Sequence, residues 1–365
     1  MNSRSSIEWL KQNGSPSVKY WIVLEIEEKI NANLEVLRER AFQSACARKW
    51  LDIVCLADVH GSKPSCFENA IPKLAMLGYR PEDTDFMELC QYWQGKIDVS
   101  PFQDYSSKKE TPAELWSFNF LENTIIAGIL AYVGFAKQKK IATVINHRLD
   151  TMYSSVIHGD FNPDTFYLHA DSCTRLPKSR RHDVINPEYY LHGDFKLPWI
   201  YDILGFVGLY NATSDADVRE KIEKIIGFIL TPAYQQLTEG YGVVMTRENY
   251  GYAMGWSVHA PGFFGFTESL PSGSSSARLL LMLDILGNFH ATRAHPWYHD
   301  AIAFLEQYRN ASDRYLFPRA FIDDKPAGYW VSGAYMGMGE DHDVLNWREC
   351  LSTYWMTKIK VKDHQ

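Results

Sequence analysis

The sequence predicts an all-α fold, an (α/α) toroid or barrel of paired helices around a central aromatic-lined cavity. Three observations carry this. Apolar residues recur at helical spacing in segment after segment, with loops rich in Gly, Pro, Asp and Ser between them. Strand signals are almost absent; the best, Gly240-Tyr-Gly-Val-Val-Met245, is short. Finally, glycines alternate with aromatic rings in Gly251-Tyr-Ala-Met-Gly-Trp256, Pro261-Gly-Phe-Phe-Gly-Phe266 and Gly328-Tyr-Trp-Val-Ser-Gly-Ala-Tyr-Met-Gly-Met-Gly339. Glycines that admit close backbone approach, framed by Trp and Tyr, suit the lining of a cavity.

The elements follow in order. Ser15 before Pro16 reads as an N-cap with proline at the first helical position. Trp21, Leu24, Ile26, Ile30, Leu34 and Leu37 then give one or two helices running to about residue 56. Helices are expected over 66–79, where Gly78 and Pro81 stop the pattern, and over 83–93. Pairs follow at 112–135 with 141–156 and at 197–210 with 217–230, the last capped by Ser214 or Asp215. A further pair, 274–289 with 296–308, precedes 331–338 and 344–359. The stretch 158–196 lacks periodicity, and an irregular segment of that length is often functional. Residues 1–60 read as a helical segment packed on a domain spanning 61–365, and repeated helix pairs suggest a closed double ring.

Composition narrows the function. The 365 residues are 46% hydrophobic and 22% charged, the balance of a chain that buries a sizeable core. A net charge of -7 argues against nucleic acid as a partner, since phosphate needs a basic face. The six cysteines are widely spaced and the polar N-terminus carries no secretory leader. They read as reduced thiols of a cytoplasmic protein. No apolar run approaches the roughly 18 to 20 residues of a membrane span; 124–135 is the longest and suits a buried helix.

Together these features resemble the α/α-toroid superfamily of squalene and hopene cyclases and protein prenyltransferase β subunits. The chain looks most like the shorter bacterial proteins of the prenyltransferase or squalene-oxidase repeat type. Ile7-Glu-Trp-Leu and Pro16-Ser-Val-Lys-Tyr20 resemble their opening, and Phe304-Leu-Glu-Gln307 with Asp313-Arg-Tyr315 and Phe317-Pro318 resembles a degenerate aromatic repeat. The family's DxDD acid is missing: the nearest string is Glu82-Asp-Thr-Asp85. Its zinc ligands are missing as well, Ser332 and Ala334 standing where the D-x-C pair would fall. Asp171-Ser-Cys173 has that spacing, near His169, in a different context.

Asp202, in Leu197-Pro-Trp-Ile-Tyr-Asp-Ile-Leu-Gly205, lies in an apolar helical pattern with Trp199 and Tyr201 beside it. A carboxyl kept protonated by apolar surroundings can serve as a cavity acid. The other reading is a buried Asp that caps a turn or pairs with an Arg. His259, on a glycine-flanked loop, is a candidate general base or a satisfied structural histidine. Tyr252 and Trp256, four apart, would share a helix face, and Trp330 and Tyr335 join them as pocket-shaping rings or as core. Asp58-Val-His60 and Asp341-His-Asp343 lack a third ligand, so no metal is expected. Arg175, Arg180 and Arg181 would clamp an anion or simply be solvated. No P-loop, G-x-G-x-x-G or G-x-S-x-G string is present, and no cofactor is implied. The leading expectation is a small-molecule enzyme holding an apolar, isoprenoid-like substrate, with lyase or isomerase chemistry implied by the resemblance. The alternatives are a carbohydrate-active (α/α)6-type enzyme and a non-catalytic binding toroid.

Overall fold

The computed structural model describes residues 3–27, 32–102, 118–173, 183–190, 194–245, 251–266 and 274–363. The chain is mostly helical. The helices are α1 (Ser3–Asn13), α2 (Pro16–Trp21), α3 (Ala32–Phe42), α4 (Ala45–Asp52), α5 (Phe67–Met76), α6 (Thr84–Lys96), α7 (Phe118–Leu130) and α8 (Lys139–His158). They continue with α9 (Pro163–Phe166), α10 (Ile200–Ala212), α11 (Ala216–Ile229), α12 (Pro232–Gln235), α13 (Ser274–Leu286), α14 (His290–Arg293), α15 (Pro296–Leu305) and α16 (Trp347–Asp363). Two short strands, β1 (Gly242–Met245) and β2 (Gly251–Met254), pair antiparallel with Val244 opposite Tyr252. No single helix among the described residues is long and apolar enough to cross a membrane.

Two compact units divide the chain: residues 1–90 with 260–365, and residues 91–259. The N-terminal helices belong to the first unit because their polar ends are used there. Ser15 caps α2, its hydroxyl accepting from Val18 N–H and donating to Met338 O at 2.7 Å. Ser17 donates to Leu77 O and the Trp21 indole to Met76 O. Where one or two helices are expected before residue 56, the described residues form four, with breaks at Gly14–Ser15, at a π-turn over Ile22–Ile26 and at Ser44, which caps α4.

Segment 331–338, expected to be helical, is not. Only a single 3-10 turn forms over Trp330–Ser332, ending at Gly333 with φ 79°. A Cβ at Gly333 would stand 2.6 Å from the Ala277 carbonyl carbon, so α13 reaches this backbone closely. The carbonyls of Tyr335 and Gly337 accept from a lysine instead of closing helical turns.

In the second unit, α7 and α10 meet through glycines. A Cβ on Gly128 would lie 2.1 Å from Tyr201 O, and one on Gly208 2.1 Å from Ala131 O. Helix backbones can approach this closely only where no side chain intervenes. Gly128→Ala should therefore lower stability by about 2 to 3 kcal/mol through forced separation of the two helices. Gly227→Ala in α11, where nothing stands within 4 Å, should raise it by about 0.5 to 1 kcal/mol. Urea midpoints of the two variants check the pair, and equal shifts would remove the close-contact argument.

Candidate active site

The first unit builds its polar centre on α5. Apolar residues of this helix are buried, yet so are Glu68, Asn69 and Lys73, at 1%, 0% and 0% exposure. Buried polar groups persist only when satisfied, and these three tie α5 to the chain at 61–63, 324 and 330–337. Asn69 donates to Gly61 O and Lys63 O at 2.8 Å and accepts from Trp330 N–H at 2.8 Å. Lys73 Nζ sits 2.9 and 3.0 Å from the two carboxylate oxygens of Asp324 and donates to Tyr335 O and Gly337 O. It also stands 5.5 Å from the Trp50 ring. The glycine–aromatic segment 328–339 thus wraps a buried ammonium.

Glu340 follows that segment. Its Oε2 accepts from Met338 N–H at 2.7 Å, while Oε1 is buried and makes no hydrogen bond among the described residues. Burial pushes the carboxyl up to about 7, against the backbone hydrogen bonds and the charge of Lys73. Cys46 borders it: a Cβ on Gly339 would lie 3.4 Å from Cys46 Cβ, and burial pushes the thiol up. Trp50 meets Tyr335 edge-on at 5.1 Å, and the buried Tyr335 hydroxyl, pushed up to about 12, lies 3.1 Å from Gly328 O and 3.3 Å from Ser62 O. At the N-terminal end of α5, His60 Nδ1 lies 2.7 Å from Glu68 Oε1, and the imidazole stacks on Tyr329 at 5.3 Å.

The second unit has its own buried cluster at the start of α10. Asp202 accepts from Trp199 N–H at 2.8 Å, closing the first turn of the helix. Its two oxygens take a bidentate pair from Arg148 at 2.9 and 3.0 Å. Arg148 donates further to Asp194 at 2.6 Å and to the carbonyls of Phe195 and Leu197. Burial opposes the guanidinium charge, but Asp202 and Asp194 outweigh it and push the arginine higher still. Burial likewise pushes Asp194 up, and the hydrogen bond from His147 with the charge of Arg148 more than reverses this. Trp199, Tyr201 and Asp202 are wholly buried, Trp199 stacking on Phe195 at 5.5 Å.

The residues singled out from the sequence therefore fall in two places. Asp202 is the bidentate partner of Arg148, the second of the two readings that the sequence left open for it. Trp199 and Tyr201 are core beside it. Tyr252 and Trp256 do not share a helix: Tyr252 lies in β2, and Trp256 follows the strand with φ 71°. Pairing with β1 and the four glycines at these strands, Gly240, Gly242, Gly251 and Gly255, won over the four-residue spacing. His259 lies edge-on to Tyr234 at 6.5 Å. Trp330 and Tyr335 belong to the first unit, both 1% exposed, and pack against the polar centre of α5. Arg175, Arg180 and Arg181 lie outside the described residues. Among those described, no group of three or more His, Cys, Asp or Glu can hold a metal.

Sequence reasoning passed over Glu340, Lys73, Asp324 and Glu68. Lys73 did leave a signal, a charge inside the apolar run Ala70-Ile-Pro-Lys-Leu-Ala75. Glu340 left none, because its burial comes from distant chain. Compared with known proteins, the chain matches no family model, no curated protein and no solved structure.

Proposed function

We propose that the chain is an enzyme that moves a proton on a small, largely apolar molecule, with Glu340 in the role that the sequence suggests for Asp202. The observation that carries this is the split state of one carboxyl: Oε2 is anchored by Met338 N–H, while Oε1 is buried and bonded to none of the described residues. A group poised near neutrality can give or take a proton at working pH, which is what general acid–base chemistry asks. Trp50, Trp330 and Tyr335 around the same backbone support an apolar substrate of isoprenoid type and terpene-cyclase-like isomerase or lyase chemistry. A closed (α/α) toroid around an aromatic cavity, in a cytoplasmic protein, completes the proposal; the paired helices and the five free thiols among the described cysteines support it.

The carbohydrate reading has less behind it. An open groove of about 460 Å³ is lined by Leu316, Arg319, Trp347 and Glu349, but its single carboxylate is committed to Asn310 at 2.7 Å and Arg314 at 3.3 Å. Glycoside hydrolysis needs two carboxyls free to act.

The test is incubation with squalene and geranylgeraniol in D2O, together with mass spectrometry of molecules that co-purify with the protein. Deuterium entering carbon positions of the isoprenoid, or recovery of an isoprenoid lipid, is expected. Recovery of an oligosaccharide with no deuterium exchange overturns the proposal.

A further inference from the structure

We propose that the groove beside the start of α16 is a self-association face, in which a second copy of this chain seats its loop 341–345. Three of the large apolar side chains left exposed gather here: Leu345 at 102%, Val344 at 45% and Leu316 at 42%. A single exposed apolar side chain is ordinary, but a group of them around a concave face marks an interaction site. The groove, of about 460 Å³, is lined by Leu316, Arg319, Trp347 and Arg348, with Leu345 standing free at its edge.

Local structure turns both apolar walls outward. Tyr315 N–H donates to Thr353 Oγ1 at 3.0 Å and Phe317 N–H to Ser352 Oγ at 2.9 Å, both acceptors on α16, and both rings are buried. Alternation along this extended segment leaves Leu316 facing away. The loop is held in one shape as well. Asp341 Oδ1 accepts from Asp343 N–H at 3.0 Å, and Asp341 O from Val344 N–H and Val344 O from Trp347 N–H at 3.1 Å each. The His342 ring stacks on Trp347 at 4.1 Å, and the Arg319 guanidinium stands 5.6 Å from the same indole. A loop organised in advance loses little conformational entropy on docking.

Charge selects the occupant. The chain carries a net charge of -7, so two copies repel unless the face between them pairs opposite signs. In the groove, Glu349 is matched by Arg314 and Arg319 by Asp323. That leaves Arg348, whose guanidinium meets no carboxylate among the described residues. The exposed loop supplies the complement: Asp343, whose carboxylate meets no cation among the described residues, next to Val344 and Leu345. One patch thus holds an acidic, aliphatic loop and a basic, aliphatic groove, which makes it self-complementary. About a two-fold axis through it, Leu345 of each copy enters the other's groove against Leu316 and Trp347, and each Asp343 meets the other's Arg348. An acidic peptide of another protein would fill the groove and leave the matching loop uncovered.

Sedimentation velocity of the full chain between about 1 and 200 μM should show growth toward twice its mass of 42.0 kDa. Leu345→Ser, Arg348→Glu and Asp343→Arg change surface positions, so each should keep the wild-type circular dichroism and weaken association at least about tenfold. A mixed dimer of the Arg348→Glu and Asp343→Arg chains regains opposite charges at both contacts. The mixture should therefore associate within about threefold of the wild type, although neither variant does so alone. A wild-type chain that stays monomeric throughout leaves the groove to an acidic peptide of another protein and overturns the proposal. A dimer indifferent to Leu345→Ser or to Arg348→Glu overturns it too, as does a mixture that fails to associate.

Discussion

Replacing Arg148 by methionine should cost the unit of residues 91–259 about 3 to 5 kcal/mol. The substitution keeps much of the apolar stem and removes only the charge and its donors. It leaves Asp202, 0% exposed, with one backbone N–H where it had a bidentate guanidinium, and it frees the carbonyls of Phe195 and Leu197. A buried carboxylate without its cation is far costlier than a neutral pair of similar shape. Asp194 loses the charge that helps hold its carboxyl below the ordinary range, so its folded-state value must rise. Proton uptake then relieves Asp194 as pH falls. The loss should therefore be larger at pH 8 than at pH 5, read as the difference between urea midpoints of variant and wild type. Hydrogen exchange should locate the opening at α8 and the start of α10. A loss below about 1 kcal/mol at pH 8 would show that the cluster is not the closed network its distances describe. By the same geometry Asp202→Asn should destabilise, and any fall in activity would follow the folded fraction.

How far the sequence reached depends on whether the deciding interaction is local. The Ser15–Pro16 cap, the Asp215 cap of α11 and the helices at 66–79, 141–156 and 274–289 all formed close to expectation, because capping and amphipathic period act within a few residues. The short strand at 240–245 also formed, needing only its neighbour β2. The misses share a cause of longer range. Segment 328–339 has helix-compatible stretches, but its carbonyls answer to Lys73 from α5, about 260 residues away in the chain. Asp202 was rightly placed inside an apolar helix. Its partner is Arg148, 54 residues earlier, and no spacing rule joins the two. The polar centre on α5 was visible only as one lysine out of place.

Glu340→Gln should flatten the dependence of stability on pH between about 4.5 and 7. The wild-type carboxyl is raised from an ordinary 4.5 to about 7 by burial. Between those values the folded chain holds a proton that the unfolded chain has released, so unfolding becomes easier as pH rises. The stabilisation from this group is fully present below about 4.5, and it is lost as pH climbs through 7. A tenfold difference in proton affinity between the folded and unfolded chain corresponds to about 1.4 kcal/mol, so the whole window spans about 3 kcal/mol. Glutamine keeps an oxygen for Met338 N–H and cannot ionise. The variant should match the wild type near pH 4.5 and exceed it by about 3 kcal/mol at pH 8. Thermal melts at the two pH values check this, with parallel wild-type and variant curves as the contrary result. If Glu340 is the acid, the variant that is more stable at pH 8 should also lose turnover by at least about 100-fold. Stability gained where activity is lost marks a group kept strained for chemistry, since an optimised structural carboxyl would lose both together. A Gln variant that is less stable at pH 8 would instead make Glu340 one more structural partner of Lys73.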